Sequence, residues 1–162
     1  MRRIVITLTV LLAVAFTASA KPRSVGLGFG SIQNVSMQHV VYGTDNFFQL
    51  DLGYHVGVPS TGTMRLTGTY NYMILSPKWT EKGTWNFYAG PGVSLGSGFN
   101  TDKAVSLGVT AQVGLEYIFE FPLQLAVDLR PSFGVMLGND RFRYDLDGLM
   151  GFIPTLTARY MF

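Results

Sequence analysis

Between Val105 and Phe119 every second residue is apolar or aromatic: Val105, Leu107, Val109, Ala111, Val113, Leu115, Tyr117 and Phe119. Ser106, Gly108, Thr110, Gln112, Gly114 and Glu116 lie between them. A period of two sustained over this length is the signature of a strand with one apolar and one polar face. The same stripe returns as Phe48, Leu50, Leu52, Tyr54 and Val56, as Met64, Leu66, Tyr70, Tyr72 and Ile74, and as Leu123, Leu125, Val127, Leu129 and Phe133. It returns last as Leu156, Ala158, Tyr160 and Phe162, with Thr155, Thr157 and Arg159 interleaved. Turn residues separate eight such segments, at 24–32, 34–42, 45–56, 63–75, 84–97, 104–119, 123–137 and 150–162. Each is about the length a tilted strand needs to cross a bilayer.

Strands joined by a hairpin must keep their apolar residues on one face. The turn Glu120-Phe121-Pro122 satisfies this by setting Phe119 opposite Leu123. The pattern therefore predicts an all-β fold, an eight-stranded antiparallel up-and-down transmembrane β-barrel, as one domain without linker or low-complexity tract. An even strand count puts both ends on one side, expected to be periplasmic, and the longest connector, Gly138 to Leu149, outside the cell. Ser76 to Gly83, with Lys78, Trp79, Glu81 and Lys82, is long for a periplasmic turn.

The first residues bear on destination. Arg2 and Arg3 precede an apolar run from Ile4 to Phe16 and then Ala18-Ser19-Ala20, which reads as a signal peptide over 1–20 with the mature barrel domain over 21–162. The run is shorter than the roughly 20 residues a spanning helix needs. Without the leader, two of the 12 Lys and Arg are lost and none of the 10 Asp and Glu, so the mature chain is near neutral. No basic stretch interleaved with aromatics suggests nucleic acid. Cysteine is absent, which excludes disulfides and thiolate metal sites.

On this topology Phe48, Tyr70, Tyr72, Trp85, Phe87, Tyr117, Phe119, Tyr160 and Phe162 fall near the periplasmic ends of outward faces, as an interfacial girdle would. Phe29, Tyr54, Phe133 and Phe152 form a thinner set at the other end. The alternative is a soluble, lipocalin-like barrel with the apolar face inward, but an eight-stranded interior is too narrow for so many rings.

The polar face then becomes the lumen, with Asp51, Arg65, Glu116, Asp128, Arg130 and Arg159 all of inward parity. Three acids and three bases can pair there and complete their hydrogen bonds with Gln49, Asn71, Asn86, Gln112, Gln124 and inward threonines. They read as an ion-pair plug; a gated polar path or a catalytic cluster is the alternative. Pro131 and Pro154 have outward parity in strands seven and eight and cannot donate to the ladder. They mark bulges or a weak lateral seam through which an acyl chain could pass.

Other motifs carry less. Gly26-Leu27-Gly28-Phe29-Gly30 and Gly90-Pro91-Gly92 do not open a helix, so they make room on the inner face instead of cradling phosphate. His39 and His55 differ in parity and form no metal pair, and no spacing joins Ser94, Ser106 or Ser132 to His55 as a hydrolase would require. No catalytic, cofactor or metal residue is assigned.

The leader end, the repeated two-faced strands and the terminal Arg159-Tyr160-Met161-Phe162 together resemble small outer-membrane barrels of the OmpA/OmpX type. The resemblance implies residence in the outer membrane of a Gram-negative bacterium. It also implies contact with outer-membrane lipid and lipopolysaccharide, and recognition of Tyr160 and Phe162 by the barrel-assembly machinery. The larger OmpA plan adds a wall-binding domain and adhesive OmpX-like proteins add long hairpins; neither is expected here. The expected role is non-enzymatic, in envelope integrity or surface interaction. The alternatives are a narrow channel for small or apolar solutes and a lipid-modifying acyltransferase or deacylase of the outer leaflet.

Overall fold

The computed structural model describes residues 23–30, 33–55, 63–98, 105–138, 141–145 and 152–162; the leader expected over 1–20 lies outside them. The strands are β1 (Ser24–Phe29), β2 (Gln33–Val40), β3 (Phe47–His55), β4 (Thr63–Leu75), β5 (Thr84–Gly98), β6 (Val105–Ile118), β7 (Leu123–Leu129), β8 (Ser132–Gly138), β9 (Arg141–Asp145) and β10 (Thr155–Met161). All pairings are antiparallel, in the order β5-β4-β3-β2-β1-β10-β7-β6 with β5 returning to β6. This closes an eight-stranded up-and-down barrel. β8 continues β7 along β6, and β9 pairs with β8.

A walk along the rungs measures the stagger of this barrel. It runs from Gly108 through Ser94, Thr67, Asp51, Ser36, Gly26, Arg159 and Gln124 to Ile118. The path returns to β6 ten residues from its start, Gly108 to Ile118. A closed sheet with such a shear must tilt its strands, by about 35–45° in barrels of this size. The shear is even, so inward residues meet inward residues all the way round.

The wall is uneven. β5 has 15 residues and β6 has 14, whereas β1 has six and β10 seven. The first strand is thus shorter than its alternating segment predicts, and the last begins at Thr155, not near residue 150. The seventh segment is split at Arg130 and Pro131, since proline has no N–H to bond and its neighbours leave the ladder there. Part of the connector expected from Gly138 to Leu149 is strand: β9 folds back on β8, with Arg141 opposite Gly138. β4 carries a register shift between Met73 and Leu75.

Among the described residues only Phe47, Tyr88 and Ala126 are buried apolar or aromatic side chains, against twenty buried polar or charged ones. Twenty-seven large hydrophobic residues among those described are exposed, including Leu27, Phe29, Leu52, Val93, Leu107, Val109 and Leu156. The apolar face is therefore the outer one, which removes the inward-facing alternative. Aromatic rings form a connected belt at the turn end, the end that carries Phe162. There Trp79 packs on Trp85 and Phe87, Trp85 on Tyr117, Tyr117 on Phe119 and Phe119 on Phe121, all with centroids 4.6–5.5 Å apart. The long turn over 76–83 is built to present Trp79. Gly83 adopts φ 71°, a region other residues rarely enter, and the Tyr117 hydroxyl bonds Lys82 O at 2.9 Å.

Candidate functional site

The interior is the only place where polar chemistry concentrates among the described residues, and it begins near the turn end with Glu116. That carboxylate is buried and accepts from Arg23 at 3.1 Å and from Asn86 Nδ2 at 2.9 Å on one oxygen, and from Gln124 Nε2 on the other. Ser76 extends the cluster to the rim by donating to Asn86 Oδ1 at 2.6 Å. Gln124 Nε2 also donates to Gln38 Oε1 at 3.1 Å, Gln38 Nε2 to Gln49 Oε1 at 3.1 Å, and Gln49 Nε2 to Asp51 Oδ2 at 2.9 Å.

The relay ends in a charged group at mid-height. Arg130 Nη1 meets Asp51 Oδ2 at 2.9 Å, its Nη2 meets Asp128 Oδ2 at 2.9 Å, and its Nε meets Asp128 Oδ1. The Tyr88 hydroxyl donates to Asp128 Oδ2 at 3.2 Å, and the Tyr88 ring stands edge-on to Phe47 with centroids 5.1 Å apart. Beside them Thr69 Oγ1 and Asn71 Nδ2 both donate to Gln112 Oε1, at 2.6 and 3.0 Å. Direct side-chain bonds thus run unbroken from Ser76 at the rim to Tyr88 and Arg130. In a low-dielectric interior such a network is strong when complete and costly when opened.

All six charges of inward parity lie on the inner face, but they do not form one cluster. Asp51, Asp128 and Arg130 come together; Glu116 pairs instead with Arg23, and Arg65 Nη1 donates to Ser132 Oγ at 3.0 Å. Arg159 is 1 % exposed and donates Nε to Ser36 Oγ at 3.0 Å. Its two amino groups meet no protein acceptor, and Asp51 Oδ1 on β3, Asn34 Oδ1 on β2 and Thr157 Oγ1 on β10 meet no partner either.

Sequence reasoning missed Arg23, which precedes the first stripe, and the two inward rings. Tyr88 has the parity of Asn86, the signal that could have found it. Pro131 falls between β7 and β8, and Pro154 immediately precedes β10. Pro131 O accepts from Ala111 N at 3.0 Å and from the Thr110 hydroxyl at 3.0 Å, so the β6 side of this break is bonded. The inner side of the break carries Asp128 and Arg130, a polar lining. The side chain of His55 lies outside the described residues. Gly90 and Gly26 are where strands approach too closely for any side chain: a Cβ on Gly90 would stand 2.8 Å from Asn71 Cα, and one on Gly26 2.5 Å from Arg159 Cα.

Comparison with protein-family models, with curated proteins and with solved structures returns no match.

Proposed function

We propose that this chain is an integral barrel of the Gram-negative outer membrane, similar to the small OmpA/OmpX type. Its polar interior is a plug, and its role is envelope integrity or surface interaction, without catalysis. The observation that carries this reading is the inversion of polarity: an exterior of leucine, valine and phenylalanine around a core of amides, hydroxyls and charges. Water does not tolerate apolar surface on that scale, whereas hydrocarbon does. The aromatic belt supports placement of the turn end at a membrane interface, which for a barrel of this topology is the periplasmic one. Partners on this reading are outer-membrane lipid, lipopolysaccharide and the assembly machinery that takes up Tyr160 and Phe162.

The test pairs folding with conductance. In detergent or lipid the chain is expected to refold to a β-rich form that migrates differently on gels before heating. That form should pass little current in planar bilayers, because eight strands leave about enough interior for side chains alone. A folded, amphiphile-independent soluble protein overturns the membrane reading, and large steady conductance overturns the plug.

A further inference from the structure

The barrel is closed by β1 and β10, which pair through six rungs from Ser24 opposite Met161 to Phe29 opposite Leu156. These strands stand at opposite ends of the described chain, so joining them closes the longest loop in the fold and is entropically the most demanding pairing. The inner face of β1 is nearly bare, offering Ser24, Gly26 and Gly28. Over that strip the side chains of its flanks meet. Arg159 of β10 passes Gly26 and donates Nε to Ser36 Oγ of β2 at 3.0 Å, all three residues sharing one rung. One level further, Gly28 lies between Thr157 and Asn34, and a Cβ there would come within 3.0 Å of Thr157 Oγ1. Toward the turn end, Gln124 of β7 reaches Gln38 of β2 at 3.1 Å. The Ser24 hydroxyl of β1 contacts the amide oxygens of both, at 2.9 and 3.2 Å.

We propose that these residues form an internal latch on the closing seam. Side chains of β7 and β10 cross the bare inner face of β1 and hold β2, so that β1 is clasped from inside as well as bonded along both edges. Arg159 is the positioning residue of this latch, and Gly26 is what admits its passage. The inference rests on the closed barrel and not on where the barrel resides.

Amide hydrogen exchange on the full chain refolded in micelles tests it. Ser36→Ala and Arg159→Met are expected to accelerate exchange along β1 and β10 by roughly tenfold to a hundredfold, the scale of one hydrogen bond to a charged group. Exchange across β5 and β6 should be unchanged. A disulfide between Val25→Cys and Tyr160→Cys, which share a rung of this seam, should restore protection in either variant. Acceleration spread evenly over the barrel, no acceleration, or a loss of fold that the cross-link leaves unrepaired would each overturn the latch.

Discussion

Arg130 Nη1 lies 2.9 Å from Asp51 Oδ2, and this contact ties the proline break after β7 to the middle of β3 across the lumen. The same guanidinium holds Asp128, so its removal strands two buried carboxylates at once. Arg130→Ala is expected to destabilise the folded barrel by at least the ~3–5 kcal/mol typical of breaking one buried pair. Asp51→Asn, which keeps an acceptor for Arg130, should cost less. Reversible urea unfolding in lipid vesicles measures both, and equal small losses would mean that the charges are hydrated.

Tyr88 has two separable roles. Tyr88→Phe removes the bond to Asp128 and should cost about 1 kcal/mol. Tyr88→Ala also removes the ring that packs on Phe47, at about 3–5 kcal/mol, and should raise single-channel conductance above the wild-type level. A silent alanine variant in both measurements would place the seal elsewhere.

Pro131 and Pro154 withdraw two donors from one stretch of wall. Amides of Leu129, Ser132 and Phe133 are expected to exchange faster than those in the middle of β6, whose rungs to β5 run from Ser97–Val105 to Thr84–Ile118 without a shift. Protection equal to that of β6 would remove the basis for any sideways passage of an acyl chain at this point.

Phe162 closes the outward stripe of β10 and stacks on Tyr160, with centroids 6.4 Å apart. Its deletion is expected to reduce the assembled, heat-modifiable form in cells more than Phe121→Ala does, although both side chains are exposed to a similar degree. Equal yields would separate the terminal aromatic from assembly.

The wall was legible in the alternation, and the interior only in part. Period two sets Val105 and Glu116 on opposite faces, because a strand has only two, and the narrowness of an eight-stranded interior then assigns Val105 to the outside. It cannot say how far a side chain reaches. Arg159 bonds Ser36 across an intervening strand, and Gln124 meets Gln38 across two, so partners depend on the shear, a property of the closed ring and of no single segment. The same limit separated Glu116 from the other charges and gave it to Arg23. Alternation also fails where the backbone departs from it. The Arg130-Pro131 break looks like strand by parity, and the β9 segment looks like loop because its charges disguise the pairing with β8.

The inversion of polarity has a consequence for descent. An outer position is required only to be apolar, so leucine, valine, isoleucine and phenylalanine can replace one another there with little effect on the ladder beneath. An inner position such as Gln38 or Arg159 must supply a particular donor or acceptor at a particular reach. Divergence in such a protein should run fast over the wall and slowly in the lumen. Kinship would then survive as a scattered set of every-second residues, spread over all eight strands, with no contiguous stretch left to betray it.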